Sequence, residues 1–515
     1  MTLITSRRQV LAWVGQGMLV AAVGPSLQKG TGLAVLPDER LFDCFGDELD
    51  FGDLEPLVAF MQETPLDELI AGLVGKLRSG TDLRTLVAAG ALANARTFGG
   101  QDYVGFHCAM ALAPSLDMAG RLDGPGQPLP VLKVLYRNTQ RIRECGGRAR
   151  EVLRRIPDGD EAAEGTTLQG CVRGLDVRGA EQAFASLMRK DPAEGYEHLQ
   201  PLVHDDADVH RVVLAWRAWD MLRLCGKHHA HTLLRQSVRY CVDQEKQLRE
   251  RGPMSIRTLL PQLLDRHGFA KWQPGARRGD DGWLDALSQT VFGASREDAA
   301  AAVAEALAAG YSPEDVGEAI SLAANKLLLC DPGRRDDRDA QKPRGSVHGA
   351  SVGVHAQDAA NAWREIARVT APANAAASLI VGAYHTAGQS RNVQSKELAL
   401  PDDRPGLNAK DSAALLEGAR ACIAARDQLG TCAFVRRYQA LEGDPRAVFD
   451  LLLGFAVSED GALHAEKFYR TAEREFATTR PARRWNHLVA LGRVTASEHG
   501  WQAGGVARAR ELLRG

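Results

Sequence analysis

The sequence predicts an all-α protein made of two pseudo-repeated multi-helix halves, helical hairpins in HEAT-like or bundle packing, and three observations carry that expectation. Ala, Leu, Arg and Glu outweigh β-branched and aromatic residues, the aromatics being only 6% of the chain, and these are residues that enter a helix at little cost. No segment sustains a period-2 alternation of apolar and polar residues, so nothing reads as a strand. A pair of short motifs also recurs at one fixed offset, the mark of an internal repeat.

The elements follow in chain order. Thr64-Pro65 supplies a cap and an N1 proline, and Leu66, Leu69, Ile70, Leu73, Val74 and Leu77 then recur at helical spacing until Gly80. Asp82 caps a second, Ala- and Leu-rich helix through Ala95, giving an antiparallel hairpin. The same arrangement returns later: Ser295 with Asp298 opens a helix that stops at Gly310, and Ser312-Pro313 with Asp315 opens the next, carrying Val316, Ile320, Leu327 and Leu328.

Val104-Gly105-Phe106-His107 aligns with Val352-Gly353-Val354-His355, and Leu135-Tyr136-Arg137 with Ala383-Tyr384-His385, both at an offset of 248. Weaker likenesses pair Phe184–His198 with Phe449–His464 and the segment from His210 with that from His487. The halves so defined span 45–250 and 283–515, separated by a charged Pro- and Gly-bearing linker, 271–282. This reading implies a two-lobed body with a groove between the lobes.

Basic and acidic residues nearly balance, 63 against 65, so no global field draws the chain to phosphates and nucleic acid is not an expected partner. Thr5-Ser6-Arg7-Arg8-Gln9-Val10-Leu11, leading into the mildly apolar Leu11 to Gly24, resembles a bacterial twin-arginine signal peptide over residues 1–25. The resemblance implies passage through the Tat export machinery, which carries already folded proteins, to a periplasmic or cell-envelope location. Membrane contact would come only through an uncleaved signal. Ala21 and Ala22 offer a cut and Pro25 blocks one after Gly24, so removal and retention both stay open. The nine cysteines lack any C-x-x-C spacing and read as small buried residues.

Histidines at matched places are the strongest pointer to chemistry, because a neutral imidazole binds transition metals and moves protons near pH 7. The expected metal ligands are His107, His348, His355, His385 and His464, with His198, His210 and His487 as second candidates. His107, His355, His385 and Asp358 are the expected catalytic residues. On a continuous helix His348 and His355 would share a face about 10 Å apart, Asp358 would orient His355 one turn away, and Asp460 would share a face with His464. Arg137 opposite His385 favours one working site over two.

Other motifs weigh less. Lys227-His228-His229-Ala230-His231 spreads its imidazoles over several helix faces and reads as a solvated helix start. His204 to Asp208 reads as a capping loop, and Trp216 and Trp219 as core. Gly349-Ala350-Ser351-Val352-Gly353 has the spacing of a nucleophile elbow but lacks the apolar strand that motif requires. No H-E-x-x-H, E-x-x-H, C-x-x-C-H, Walker or dinucleotide-binding pattern is present. The polar loops Asp331–Ser346 and Gly388–Asp411 adjoin candidate histidines, as a lid would. Gly105-Phe106-His107 is faintly similar to the questin oxidase family of helical enzymes, over a few residues only. The expected function is an exported metal- or cofactor-dependent enzyme, an oxidoreductase using iron, zinc or copper on a small-molecule substrate. The competing expectation is an exported, non-catalytic helical-repeat scaffold.

Overall fold

The computed structural model describes residues 47–156, 167–349 and 351–514; the expected export signal lies outside them. Among the described residues there are 22 α-helices, two isolated bridges and no strand. None of these helices is long and apolar enough to cross a membrane. In order they are α1 (Glu55–Glu63), α2 (Leu66–Arg78), α3 (Leu83–Phe98), α4 (Tyr103–Ala119), α5 (Leu129–Glu144), α6 (Leu168–Gly174), α7 (Val177–Lys190), α8 (Pro192–His204), α9 (Val209–Cys225), α10 (Ala230–Arg251) and α11 (Ile256–Arg266). Then follow α12 (Asp281–Gly293), α13 (Arg296–Ala308), α14 (Pro313–Leu329), α15 (Val352–Val369), α16 (Pro372–Ala387), α17 (Ser412–Ala424), α18 (Gln428–Ala440), α19 (Pro445–Ser458), α20 (His464–Thr478), α21 (Trp485–Glu498) and α22 (Val506–Arg514).

Side-chain caps set most of these boundaries, since each helix start leaves backbone N–H groups without an internal partner. Asp82, Asp102 and Asp208 accept from Thr85, Gly105 and Arg211. Ser295, Ser312 and Ser351 accept from Asp298, Asp315 and Val354. Ser351, placed in the elbow-like motif, is therefore an N-cap at the start of α15.

Packing partners recur eleven helices apart. Helix α4 packs on α3, α5, α9 and α20, while α15 packs on α14, α16, α9 and α20. Helix α1 lies on α3 as α12 lies on α14, and α10 joins α7, α8 and α9 as α21 joins α18, α19 and α20. The final helices cross over: α11 packs on α13 and α16, and α22 on α2 and α5. The two halves therefore share one continuous apolar core rather than meeting as separate lobes across a groove.

The recurring glycine two residues before His107 and His355 has a packing reason. A Cβ on Gly105 would lie 2.5 Å from the Phe98 ring of α3, and one on Gly353 2.4 Å from the Leu328 Cα of α14. Their absence lets α4 and α15 approach the preceding helix closely.

The long segment between α14 and α15 is an ordered strap. Arg334 N donates to Ser346 O and Gly345 N to Arg334 O, at 3.0 and 2.8 Å. Ser497 of α21 accepts from Val347 N at 2.9 Å and pairs with His348 Nδ1 at 2.8 Å, while His348 Nε2 meets Gln341 O at 3.0 Å. Val347 and His348 are accordingly buried. The eight described cysteines are free, and all but Cys145 are buried.

Candidate functional site

Helices α4, α9, α15 and α20 form a ring, each packing on the next, with two members from each half. Each carries a histidine in its first two turns: His107 fifth in α4, His210 second in α9, His355 fourth in α15 and His464 first in α20. Because the four N-terminal ends gather at one place, the imidazoles close into a square. Ring centroids lie 4.9 Å apart for His107–His210, 5.3 Å for His210–His355, 5.3 Å for His355–His464 and 5.0 Å for His464–His107.

Outer contacts fix which nitrogen of each ring faces its partners. His107 Nδ1 donates to Tyr103 O at 2.7 Å and His464 Nδ1 to Ala462 O at 2.9 Å, so both Nε2 atoms present a lone pair, that of His464 towards His355. His210 Nδ1 stands 3.7 Å from the Asp208 carboxylate. The Nε2 atoms of His107 and His210 are buried with no hydrogen-bond partner, while His355 Nε2 and His464 Nε2 are 3.2 Å apart. Metal–imidazole bonds of about 2.0–2.1 Å imply N···N edges of roughly 2.9–3.4 Å, so that pair already has the spacing of two ligands on one ion. Ligand atoms of His107, His355 and His464 all lie within 4.8 Å of one another.

The electrostatics keep His107, His355 and His464 neutral. Burial, then the neighbouring Lys467, holds His107 and His464 well below the usual imidazole range. Burial and then His210 and Lys467 do the same for His355. Lys467 is itself pushed down to about 8 by burial. Burial alone would raise the Asp208 carboxyl, but facing His210, the Tyr240 hydroxyl at 2.7 Å and Arg211 keeps it firmly ionised. His464 follows consecutive left-handed residues Ala462 (φ 51°) and Leu463 (φ 63°). Such backbone conformations cost energy for non-glycine residues and concentrate at functional sites.

His107, His355 and His464 of the expected ligand set are thus brought together, and His210, a second candidate, completes the square. His385 lies beside it on α16, buried, its Nδ1 accepting from Trp363 Nε1 at 3.4 Å, which leaves the proton on Nε2. His348 stands apart: it belongs to the strap rather than to the helix of His355, and both its nitrogens are engaged there. Asp358 does lie one turn beyond His355, but it faces Lys467, Arg217 and Thr471 instead of the imidazole. Asp460 does not share a helix face with His464, because α20 begins only at His464 after a 3-10 turn. His198 is 53% exposed on a side chain far from enclosure, and His487 is bound up with Gln357 and Thr479.

The sequence aligned His210 with His487; in the structure His210 and His464 occupy alternate corners of the square and His487 is engaged elsewhere. A signal for this placement existed. Cys171, Asp176 and Gly179 repeat at equal spacing as Cys422, Asp427 and Gly430. Both sets build the same turn, with Leu175 and Arg426 left-handed and the aspartates capping the next helix. Continuing from that anchor places α9 against α20.

The opposite end of the four helices opens on a cavity of about 600 Å³. Its charges satisfy one another: Arg470 bridges Asp117 and Asp220, and Arg474 pairs with Glu365. The histidine end is different, with unpartnered nitrogen atoms facing inward, and it is the candidate site.

Fold and site together define a class: a wholly helical protein with four imidazoles enclosed where four helix starts converge. Neither protein-family models, nor curated proteins, nor solved structures provide a match to the chain.

Proposed function

We propose that the square of His107, His210, His355 and His464 binds one transition-metal ion and that the protein is a metal-dependent oxidoreductase acting on a small molecule. The observation that carries this reading is the tautomer pattern, with Nδ1 of His107 and His464 donating to backbone carbonyls, Nδ1 of His210 3.7 Å from the Asp208 carboxylate, and the Nε2 atoms of His107 and His210 buried without a partner. Metal-bound histidines have this outer-shell arrangement, whereas a purely structural histidine satisfies both nitrogens locally, as His348 does. Neutral imidazoles suit iron, copper and zinc. A ligand set of neutral donors leaves the ion's charge uncompensated, which favours a redox-active ion that recruits an anionic co-ligand. His385, with its proton on Nε2, is placed to donate to a bound substrate.

The same reading includes the doubling: the eleven-helix recurrence and the exchange of α11 and α22 support an ancestral half that paired with a copy of itself. Export by the Tat route accords with a cofactor inserted during folding in the cytoplasm. The alternative is a histidine-pinned scaffold without chemistry.

The test is metal analysis of untagged protein, with absorption and electron paramagnetic resonance spectra, for the wild type and for His107→Gln and His464→Gln. Near one equivalent of metal in the wild type, lost in both variants while the circular dichroism stays helical, supports the reading. A metal-free wild type that takes up no added Fe(II), Cu(II) or Zn(II) refutes it and leaves the scaffold.

A further inference from the structure

Positive groups gather around the square, although Lys467 also faces Asp358 and Glu466, and Arg334 the carboxylates of Asp339, Asp336 and Asp331. Four helix N-termini, each a partial positive pole, end there, and Lys467 lies beside three of the histidines. The strap adds Arg334, which interacts with the Tyr103 hydroxyl. Tyr103 in turn packs its ring 4.4 Å from His107 and 5.6 Å from His210. The Arg334 Nε and Nη2 atoms are buried and have no hydrogen-bond partner. Unpaired buried guanidinium donors are costly, and in native proteins such groups await a partner. Asp208, the carboxylate within reach of the square, is already engaged by Tyr240, Arg211 and His210.

The square is also not enclosed equally on all sides. His107 and His464 are buried, whereas Tyr103 and His355 are only half-buried, and the side chains of His210 and Asp208 are 16% and 24% exposed. The accessible flank of the square is therefore the one that Tyr103 and the strap border. Backbone pairing with Gly345 and Ser346 fixes where the Arg334 side chain leaves the strap.

We propose that Arg334 anchors an oxyanion, the carboxylate of a small organic acid, beside Tyr103, so that the substrate of this site is an acid held between the strap and the histidine square. The proposal rests on the functional reading above for the word substrate, but the anion site itself stands on Arg334 and Tyr103. Arg–carboxylate pairing through two parallel N–H donors gives both affinity and orientation. It also supplies the negative charge that the converging helix ends and an all-imidazole metal centre call for.

The experiment is calorimetric titration of the full chain, as isolated and after chelation, with acetate, benzoate and the neutral benzamide. Wild type, Arg334→Met, Arg334→Lys and the neighbouring exposed Arg335→Met are compared, with metal content measured on each. Expected is binding of a carboxylate but not of benzamide, weakened at least about tenfold in Arg334→Met, less in Arg334→Lys and not in Arg335→Met. Metal content stays unchanged throughout. Equal carboxylate affinity in Arg334→Met and wild type overturns the proposal, as does a wild type that binds neither acid better than benzamide. A metal-free protein that still shows the Arg334-dependent binding sinks the metal reading and keeps the anion site, so the two failures are distinct.

Discussion

Replacing Asp208 by Asn separates the site from the fold. The carboxylate does three things at once: it caps α9 by accepting from Arg211 N at 3.0 Å, it accepts from Tyr240 Oη at 2.7 Å, and it stands 3.7 Å from His210 Nδ1. Asn caps a helix about as well as Asp, so the first role survives, and weakening the charge-assisted Tyr240 bond costs about 1 kcal/mol. The third role does not survive. An amide can donate to Nδ1, which moves the imidazole proton to Nε2 and turns that nitrogen away from metal binding. Loss of such an outer-shell carboxylate typically lowers metal affinity about 10–100-fold, or roughly 1.4–2.7 kcal/mol. Asp208→Ala should lose the same affinity but a further ~1 kcal/mol of folding stability, because its cap is gone. Competition against a chromophoric chelator at pH 7.5 gives the first quantity, and urea unfolding of the chelated protein gives the second. An Asp208→Asn variant that binds metal within twofold of wild type, or losses of affinity that merely track losses of stability across the pair, would refute the assignment of His210 as an oriented ligand.

Further expectations follow from the same geometry. His348→Ala should lower stability by about 1–3 kcal/mol, since it strands Ser497 and the Gln341 carbonyl, yet leave metal content intact. A proportionate loss of metal would return His348 to the ligand set. Gly353→Ala should destabilise by about 1–3 kcal/mol and more than Gly105→Ala. The first collides with the backbone of Leu328 and the second with a Phe98 ring that can turn, and urea unfolding of both ranks them. Glu498, the last residue of α21, is pushed up to about 8 by burial. The folded state then holds a proton that the unfolded chain releases near pH 4.5, so stability is fullest below pH 4.5 and falls as pH rises towards 8. Glu498→Gln should therefore match wild type near pH 4.5 and gain on it by roughly 2–5 kcal/mol at pH 8.5. A pH-independent difference would show that the carboxyl does not titrate in this window.

Local chemistry was legible in the sequence. The helices beginning at Leu66, Leu83, Arg296 and Pro313, and the caps Asp82, Ser295 and Ser312, were predicted and are observed, because capping and 3.6-residue periodicity act within a few residues; the expected hairpin of α2 with α3 is not, since α2 packs on α5 and α22 instead. So was the meeting of His107 and His355, whose motifs recur at one offset; His464 joins them through α20, although the sequence aligned it with the exposed His198. The helix assumed for His348 was not formed, because the strap offers its two nitrogens partners from Ser497 and Gln341, residues distant in sequence or across a turn.

What the sequence determined by itself, then, is the helical class, the cap positions and the glycines that let α4 and α15 pack tightly, all consequences of short-range sterics and hydrogen bonding. What the tertiary structure decided is which histidines meet. His210 and His464 become opposite corners only because α9 and α20 each bridge α4 and α15, and Arg334 faces the site only because the strap folds back on itself. Such contacts depend on how helices cross, and a crossing is fixed by the summed fit of many side chains rather than by any spacing readable along one strand of residues.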